Sequence, residues 1–323
     1  MCRLCCKGTG MRRAGILLGC LLLLLCGCAM AQPQQPDKLQ IVATLFPQYD
    51  FARQLAGEHA QVRLLLTPGV ESHSYEPTPA DVLHINQADL FLYTGQFMEP
   101  WAQRLLEGLD GAPLVLDVSS GITLDEEDSS GHADHHDHDG HGNYDPHIWT
   151  SPANAIVMVQ NILESLCAAD PAHEKEYRAN AETYLAQLQA LDDAFIQTVE
   201  QGARREIYFG GRFALHYFAK RYGLVYTAAF DSCSSETEPS VGVMVQMVDQ
   251  MREKQIPVVY YEELSEPKIA RTLSEETGAR MRLLHSCHNL SKAELARGET
   301  YLSLMQKNLE HLKEGLNDGA DTL

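Results

Sequence analysis

The sequence predicts an α/β protein of two α/β lobes, each with a parallel-type sheet, joined by one long helix. Three observations carry this. From Leu39 onward short apolar, β-rich runs alternate with helical stretches. The alternation is replaced between Pro152 and about Gln201 by helical periodicity that contains one internal proline, Pro171. It then resumes almost to the C-terminus. Apolar strand-length runs separated by helices indicate βαβ units and parallel sheets covered on both faces.

In the first half, strands are expected at Ile41–Phe46, Val62–Leu66, within ADLFLYTG and at Pro113–Ser119. The intervening helices are expected around Tyr49–Gly57, Ala80–Asn86 and Pro100–Leu109. The most continuous part of the central stretch, Ala172–Glu200, reads as a stiff strut. In the second half EIYFGG, LVYTAAF, PVVYYEE and RMRLLHS read as strands. Helices are expected at Phe213–Tyr222, Val241–Lys254 and Lys268–Thr277, and Tyr301–Leu316 closes the chain. Ligands of open α/β sheets bind beyond the carboxyl ends of the strands. The expected site therefore lies in the cleft between the lobes.

The 323 residues are enough for about two domains and carry a formal charge of −19. This acidity argues against a nucleic-acid partner, which requires a basic surface, and leaves a cation as a ligand. Arg12 and Arg13 precede an apolar run, Ala14 to Cys26, too short for a confident membrane span and shaped like an export signal. Leu25-Cys26-Gly27-Cys28 resembles a bacterial lipobox, so cleavage and lipidation are expected at Cys28. An ordinary signal peptide cut near Ala31 is the alternative, and the start is at Met1 or Met11. Removal of residues 1–27 leaves 296 residues with a charge of −23. The expected organisation is a signal peptide at 1–27, a Pro/Gln-rich tether at 28–38, an N-terminal lobe at 39–151 with a His-rich loop at 125–143, a linker helix at 152–204 and a C-terminal lobe at 205–323. Outside the cytosol a disulfide is permitted. Cys233 and Cys287 both follow expected strands and are the pair proposed from the sequence, with Cys167 left buried on a helix.

The histidines fall into two groups. His132, His135, His136, His138 and His141 lie among aspartates in the low-complexity segment 125–143. This segment lacks the apolar residues for a core, and its imidazoles and carboxylates suit loose capture of a borderline metal such as zinc. His73, His147, His216 and His285 are scattered in sequence, but each sits beside the end of an expected element at the cleft. Four imidazoles would complete a closed tetrahedral Zn2+ site, which suits carriage rather than catalysis. There is no HExxH, no GxSxG elbow and no P-loop, so no enzyme is expected. Glu76 and Asp145 are placed to accept the second ring N–H of a metal-bound histidine.

The motifs that carry these residues are specific: GVESHSYEPTP around His73, DPHIW around His147, then YFAKRYGL, TEPS, YYEE and TYLSLMQKNL. With them the chain resembles the zinc and manganese substrate-binding lipoproteins of ABC transporters, over nearly the whole of residues 28–323. The acidic, His-rich insertion before DPHIW is typical of the zinc branch. The resemblance implies two lobes joined by one long helix, a membrane permease as partner, and anchorage to the outer face of the bacterial cell membrane. Its first two metal ligands fall on His73 and His147. The third falls on Arg212, a cation where a ligand belongs. Glu238, Asp231 and Glu262 are the candidates to neutralise it. His216, one helical turn on, is the candidate replacement; Arg212 as a plug, or three histidines with water, are the alternatives. The fourth falls on His285, with His288 competing. The function implied is high-affinity zinc capture and delivery, the alternatives being a manganese-binding member of the same family or a zinc-containing surface adhesin. Manganese would call for carboxylate oxygens, and the expected site is rich in nitrogen.

Overall fold

The computed structural model describes residues 38–70, 75–108, 113–126, 144–230 and 239–317. Residues 38–323 form one compact unit. In the first half, strands β1 (Leu39–Ala43), β2 (Ala60–Leu64), β3 (Leu90–Tyr93) and β4 (Leu114–Asp117) alternate with helices α1 (Phe46–Ala56), α2 (Pro79–Asn86) and α3 (Pro100–Leu106). The strands form a parallel sheet in the order β2-β1-β3-β4, with Ile41 opposite Val62 on one side and Leu90 on the other. Helices α4 (Pro152–Ala169) and α5 (Glu174–Gln201) follow. The second half contains β5 (Glu206–Arg212), α6 (His216–Tyr222), β6 (Val225–Phe230), α7 (Val241–Glu253), β7 (Val258–Tyr261), α8 (Lys268–Thr277), β8 (Arg280–Leu283), α9 (Lys292–Ala296) and α10 (Tyr301–Asn317). Its strand order, β6-β5-β7-β8, repeats that of the first half, again with every pairing parallel.

The connecting stretch is divided at Pro171. A proline ring cannot donate the backbone hydrogen bond that would continue α4, and a single tight turn, Pro171–His173, intervenes. Helix α5 is the long element, about 42 Å at 1.5 Å per residue for its 28 residues. It packs on α1 from the first lobe, on α10 from the second, and on α4. Its buried stripe of Tyr177, Ala181, Tyr184, Leu188, Leu191, Phe195 and Val199 follows helical spacing. These side chains belong to one apolar core that includes Ile41 and Leu90 of the first sheet and Ile207 and Val258 of the second. The lobes therefore share a core, so separating them would expose apolar surface at about 25 cal/mol per Å². Smaller clusters close the outer faces: Val42, Ile85, Phe91 and Ala102 in the first lobe, and Tyr208, Met247, Val259 and Leu273 in the second.

Two local features aim the cleft loops. Thr78 and Asp81 form a reciprocal capping box, with Pro79 at the first helical position, and so fix where α2 begins after the loop that carries His73. In β5, Gly210 lets α8 lie directly on the strand, because a Cβ there would sit 2.5 Å from Ala270 Cα. Next to it Gly211 makes room for Glu262, and the register of β5 against β6 shifts over these residues. None of the described helices is long and apolar enough to cross a membrane.

Candidate metal site in the cleft

The carboxyl ends of both sheets supply the cleft. His147 ends the long connection from β4, immediately before the short turn Ile148–Thr150, and is fully buried. Its Nδ1 lies 2.9 Å from Asp145 Oδ1, and the same oxygen accepts the His147 backbone N–H at 2.8 Å. Burial raises the Asp145 pKa, but the hydrogen bonds and charge of His147 outweigh it and leave the carboxyl below its usual range. An ionised carboxylate only accepts, so Nδ1 donates this hydrogen bond and Nε2 is the ring nitrogen turned away from Asp145. Of the two carboxylates expected to orient a histidine, Asp145 is placed to do so, whereas Glu76 is exposed.

The opposite wall is the segment after β8. The His288 ring stands 5.5 Å from that of His147, nearly perpendicular to it, and 5.4 Å from that of Trp149. His147 and Trp149 are also in edge contact at 5.5 Å. A histidine from each lobe thus meets over one buried indole. His285, three residues earlier, has a different setting. Its Nδ1 accepts the Cys287 backbone N–H at 2.9 Å and lies 3.6 Å from Glu263, while Nε2 lies 3.7 Å from Glu294. The imidazole holds the Glu294 carboxyl down, to about 2. Nδ1 of His285 is therefore engaged within the second lobe, whereas Nε2 is buried and faces Glu294 there without a hydrogen bond.

His216 opens α6 and its Nε2 is 3.1 Å from Asp125 Oδ2. Lys220, one turn on, binds both oxygens of the same carboxylate at 2.6 and 2.7 Å. Between them Tyr217 accepts the Asp125 backbone N–H and donates to the Asp145 carbonyl. This cluster joins the second lobe to the base of the His-rich segment, which is closed by an antiparallel bridge between Glu126 and Tyr144. His216 is engaged there with Asp125, a setting the sequence does not predict. Arg212 closes β5, with its backbone N–H 3.4 Å from Glu262 Oε1. Of the three acids considered for neutralising it, Glu262 meets its backbone N–H, and Asp231 and Glu238 lie outside the described residues.

His73, the loop histidines His132, His135, His136, His138 and His141, the lipidation residue Cys28 and Cys233 also lie outside the described residues. Among the described residues no three His, Cys, Asp or Glu side chains form a metal-holding group. Cys167 and Cys287 are buried free thiols among the described residues, and Cys233, the partner expected for Cys287 from the sequence, lies outside them. Cys287 has φ 58°, a left-handed conformation, and is turned into the core shared by the lobes. Burial there, with Glu263, Asp50 and Glu294 adding negative charge, raises its thiol pKa.

Sequence reasoning missed Ser286 and Asn289 and used Trp149 only as part of a motif. Trp149 donates its indole N–H to the Ser286 carbonyl at 2.9 Å, and Asn289 donates to the carbonyls of Thr67 and Val70, both at 2.9 Å.

Two α/β lobes fixed on a shared core, with histidines from both lobes facing one another across the cleft, are the architecture of the two-lobed solute-binding fold. The family described as zinc-uptake complex component A, periplasmic, matches residues 41–315, and the chain belongs to it. It is 34% identical over 307 residues to the zinc-binding lipoprotein AdcA of Streptococcus pneumoniae, covering 94% of this chain and 61% of that protein. It thus spans less than two thirds of the length of that relative. To the high-affinity zinc uptake system protein ZnuA of Bacillus subtilis it is 33% identical over 283 residues, covering 87% of this chain and 88% of that one. The crystal structure of the Zn(II)-bound ZnuA-like domain of the pneumococcal protein superposes with a TM-score of 0.73 at 33% identity, over 87% of this chain and all of that domain.

Proposed function

We propose that this protein captures Zn2+ outside the cytoplasm and delivers it to the membrane permease of an ABC transporter. The observation that carries the reading is the pairing of His147 and His288 across the cleft, 5.5 Å between ring centres. Nε2 of His147, set by Asp145, and an imidazole nitrogen of His288 supply two ligands, and His73 from the loop after β2 supplies a third. A water, or Arg212 giving way to a carboxylate beside it, completes four-coordination. In this reading His288, which faces His147 across the cleft, replaces His285, whose ring faces Glu263 and Glu294 inside the second lobe, and His216 guards the mouth rather than binding the tightly held ion. The nitrogen-rich set favours zinc over manganese, in keeping with the zinc-binding names of both curated relatives.

The His-rich segment gathers zinc loosely near the cleft through His132, His135, His136, His138 and His141. A lipid on Cys28 tethers the lobes to the outer face of the membrane. The shared core and the strut α5 keep lobe movement small.

The test is metal affinity of the mature chain, with and without residues 128–142, for zinc and for manganese. One tightly held zinc per chain, retained after the deletion and lost in a His147→Ala, His288→Ala double variant, supports the reading. Manganese preference, or tight zinc binding that survives the double substitution, overturns it.

A further inference from the structure

Among the described residues, three hydrogen bonds join the first lobe to one loop of the second, residues 286–289. On one side of His288, the Ser286 carbonyl accepts the indole N–H of Trp149 at 2.9 Å. On the other, the two hydrogens of the Asn289 amide go to the carbonyls of Thr67 and Val70, both at 2.9 Å. Asn289 is 1% exposed, and its Oδ1 accepts the Leu290 N–H at 2.8 Å, so the amide is held at both ends. Trp149 lies two residues beyond His147, and Thr67 and Val70 belong to the segment that runs on to His73. The loop 286–289 thus grips both N-lobe segments that lead to expected ligands.

The grip is itself supported. Glu263 accepts from Ser286 N at 2.9 Å and from Ser286 Oγ. The Trp149 carbonyl accepts from Tyr301 Oη at 2.6 Å, and the Tyr301 backbone N–H is bonded to Asp50 on α1 at 2.9 Å. Asp50 therefore meets the N-terminus of α10 from the other lobe, where the helix dipole favours a carboxylate. Trp149, Tyr301 and Asp50 are all buried. In such surroundings a satisfied hydrogen bond rigidifies, and an unsatisfied one is costly.

We infer that residues 286–289 are an interlobe clasp, and that Trp149 and Asn289 are positioning residues that set the gap between His147 and His288. The inference rests on the zinc-site reading above. The clasp fixes the ligand geometry and slows zinc release, and its opening is the step that lets the ion leave.

Zinc dissociation, followed by chelator competition, and the visible spectrum of the cobalt(II)-substituted full chain test this. Trp149→Phe keeps a ring against both histidines and removes the N–H. Asn289→Asp keeps the size and the Oδ1 acceptor but turns an acceptor toward Thr67 and Val70. Release should quicken about tenfold in the first, which loses one hydrogen bond, and about a hundredfold in the second, which leaves two carbonyls unpaired. Both cobalt spectra should change while the far-UV signal stays native. Folded variants with wild-type release and spectrum overturn the clasp. The unaltered protein supplies a second readout. Its two tryptophans give two indole N–H resonances, assigned with Trp101→Phe. That of Trp149 should be protected from exchange, and more so with zinc bound; exchange at the rate of free indole overturns the clasp even where a variant fails to fold. His288→Ala separates the layers: unchanged zinc affinity there removes the underlying site reading, whereas loss there beside wild-type behaviour of Trp149→Phe and Asn289→Asp removes only the clasp.

Discussion

His147 and His285 are both buried, both lie at the carboxyl end of a sheet, and both face carboxylates, yet their environments suit different work. His147 meets Asp145, which accepts a hydrogen bond from Nδ1 and so turns Nε2 the other way. His285 is held between Glu263 and Glu294 and accepts a backbone N–H as well. One carboxylate orients an imidazole and makes it a better ligand. Two carboxylates at ion-pair distance and a backbone donor hold a ring as part of the frame of its own lobe. Burial and the identity of the residue do not distinguish these cases; the groups that face each ring do.

The largest expected effect breaks the comparison if it is wrong. His147→Gln should weaken zinc binding by about 1000-fold or more, beyond the 10- to 100-fold of an outer partner, with little change in the melting temperature of the metal-free protein. His285→Gln should show the reverse: zinc affinity within about tenfold of wild type, and a melting temperature lowered by several degrees, since Glu263 and Glu294 lose the ring between them. Calorimetric titration and thermal unfolding of both variants check this. Equal loss of zinc in the two would restore His285 as a ligand.

The orienting carboxylate comes next. Asp145→Asn keeps the shape and allows the other tautomer of His147. Zinc affinity should fall about 10- to 100-fold, less than for loss of the ligand. The measurement is the same titration, and an unchanged value would detach Asp145 from the metal.

This contrast marks where the sequence was readable. The alternation of strands and helices, the long helix after Pro171 and the strand-end position of His147 all follow from periodicity and breaker residues, which are local properties. Asp145 is two residues from His147, so its role is local too. Choosing between His285 and His288 is not local. It depends on Glu263, 22 residues before His285, and on Trp149, which arrives from the other lobe. A partial signal was present in Ser291-x-x-Glu294, a capping-box pattern. It starts a helix directly after the loop and brings Glu294 back toward His285. The Asp125 contact of His216 was equally hidden, because it spans 91 residues. The burial of Cys287 could not be foreseen either, since strand-end spacing says nothing of which way a left-handed residue turns its side chain.

The smallest effect sharpens the structural half of the comparison. Glu294 is held at about 2, against an ordinary glutamate value of 4.5, by His285 with further hydrogen bonds from Ser291. A carboxyl whose folded value is depressed contributes stability that is fully present above its unfolded value and lost as pH falls through its folded one. Glu294→Gln should therefore lower the melting temperature of the metal-free protein by a few degrees at pH 6, and the gap should narrow below pH 4.5 and close near pH 2. Ser291 can still be capped by the amide, so the lost part is the charge facing His285. Thermal unfolding of both proteins from pH 3 to pH 7 measures the narrowing directly. A gap that stays constant over that range would mean that Glu294 serves only to cap α9 and does not hold His285, and the ring would again be available to a metal.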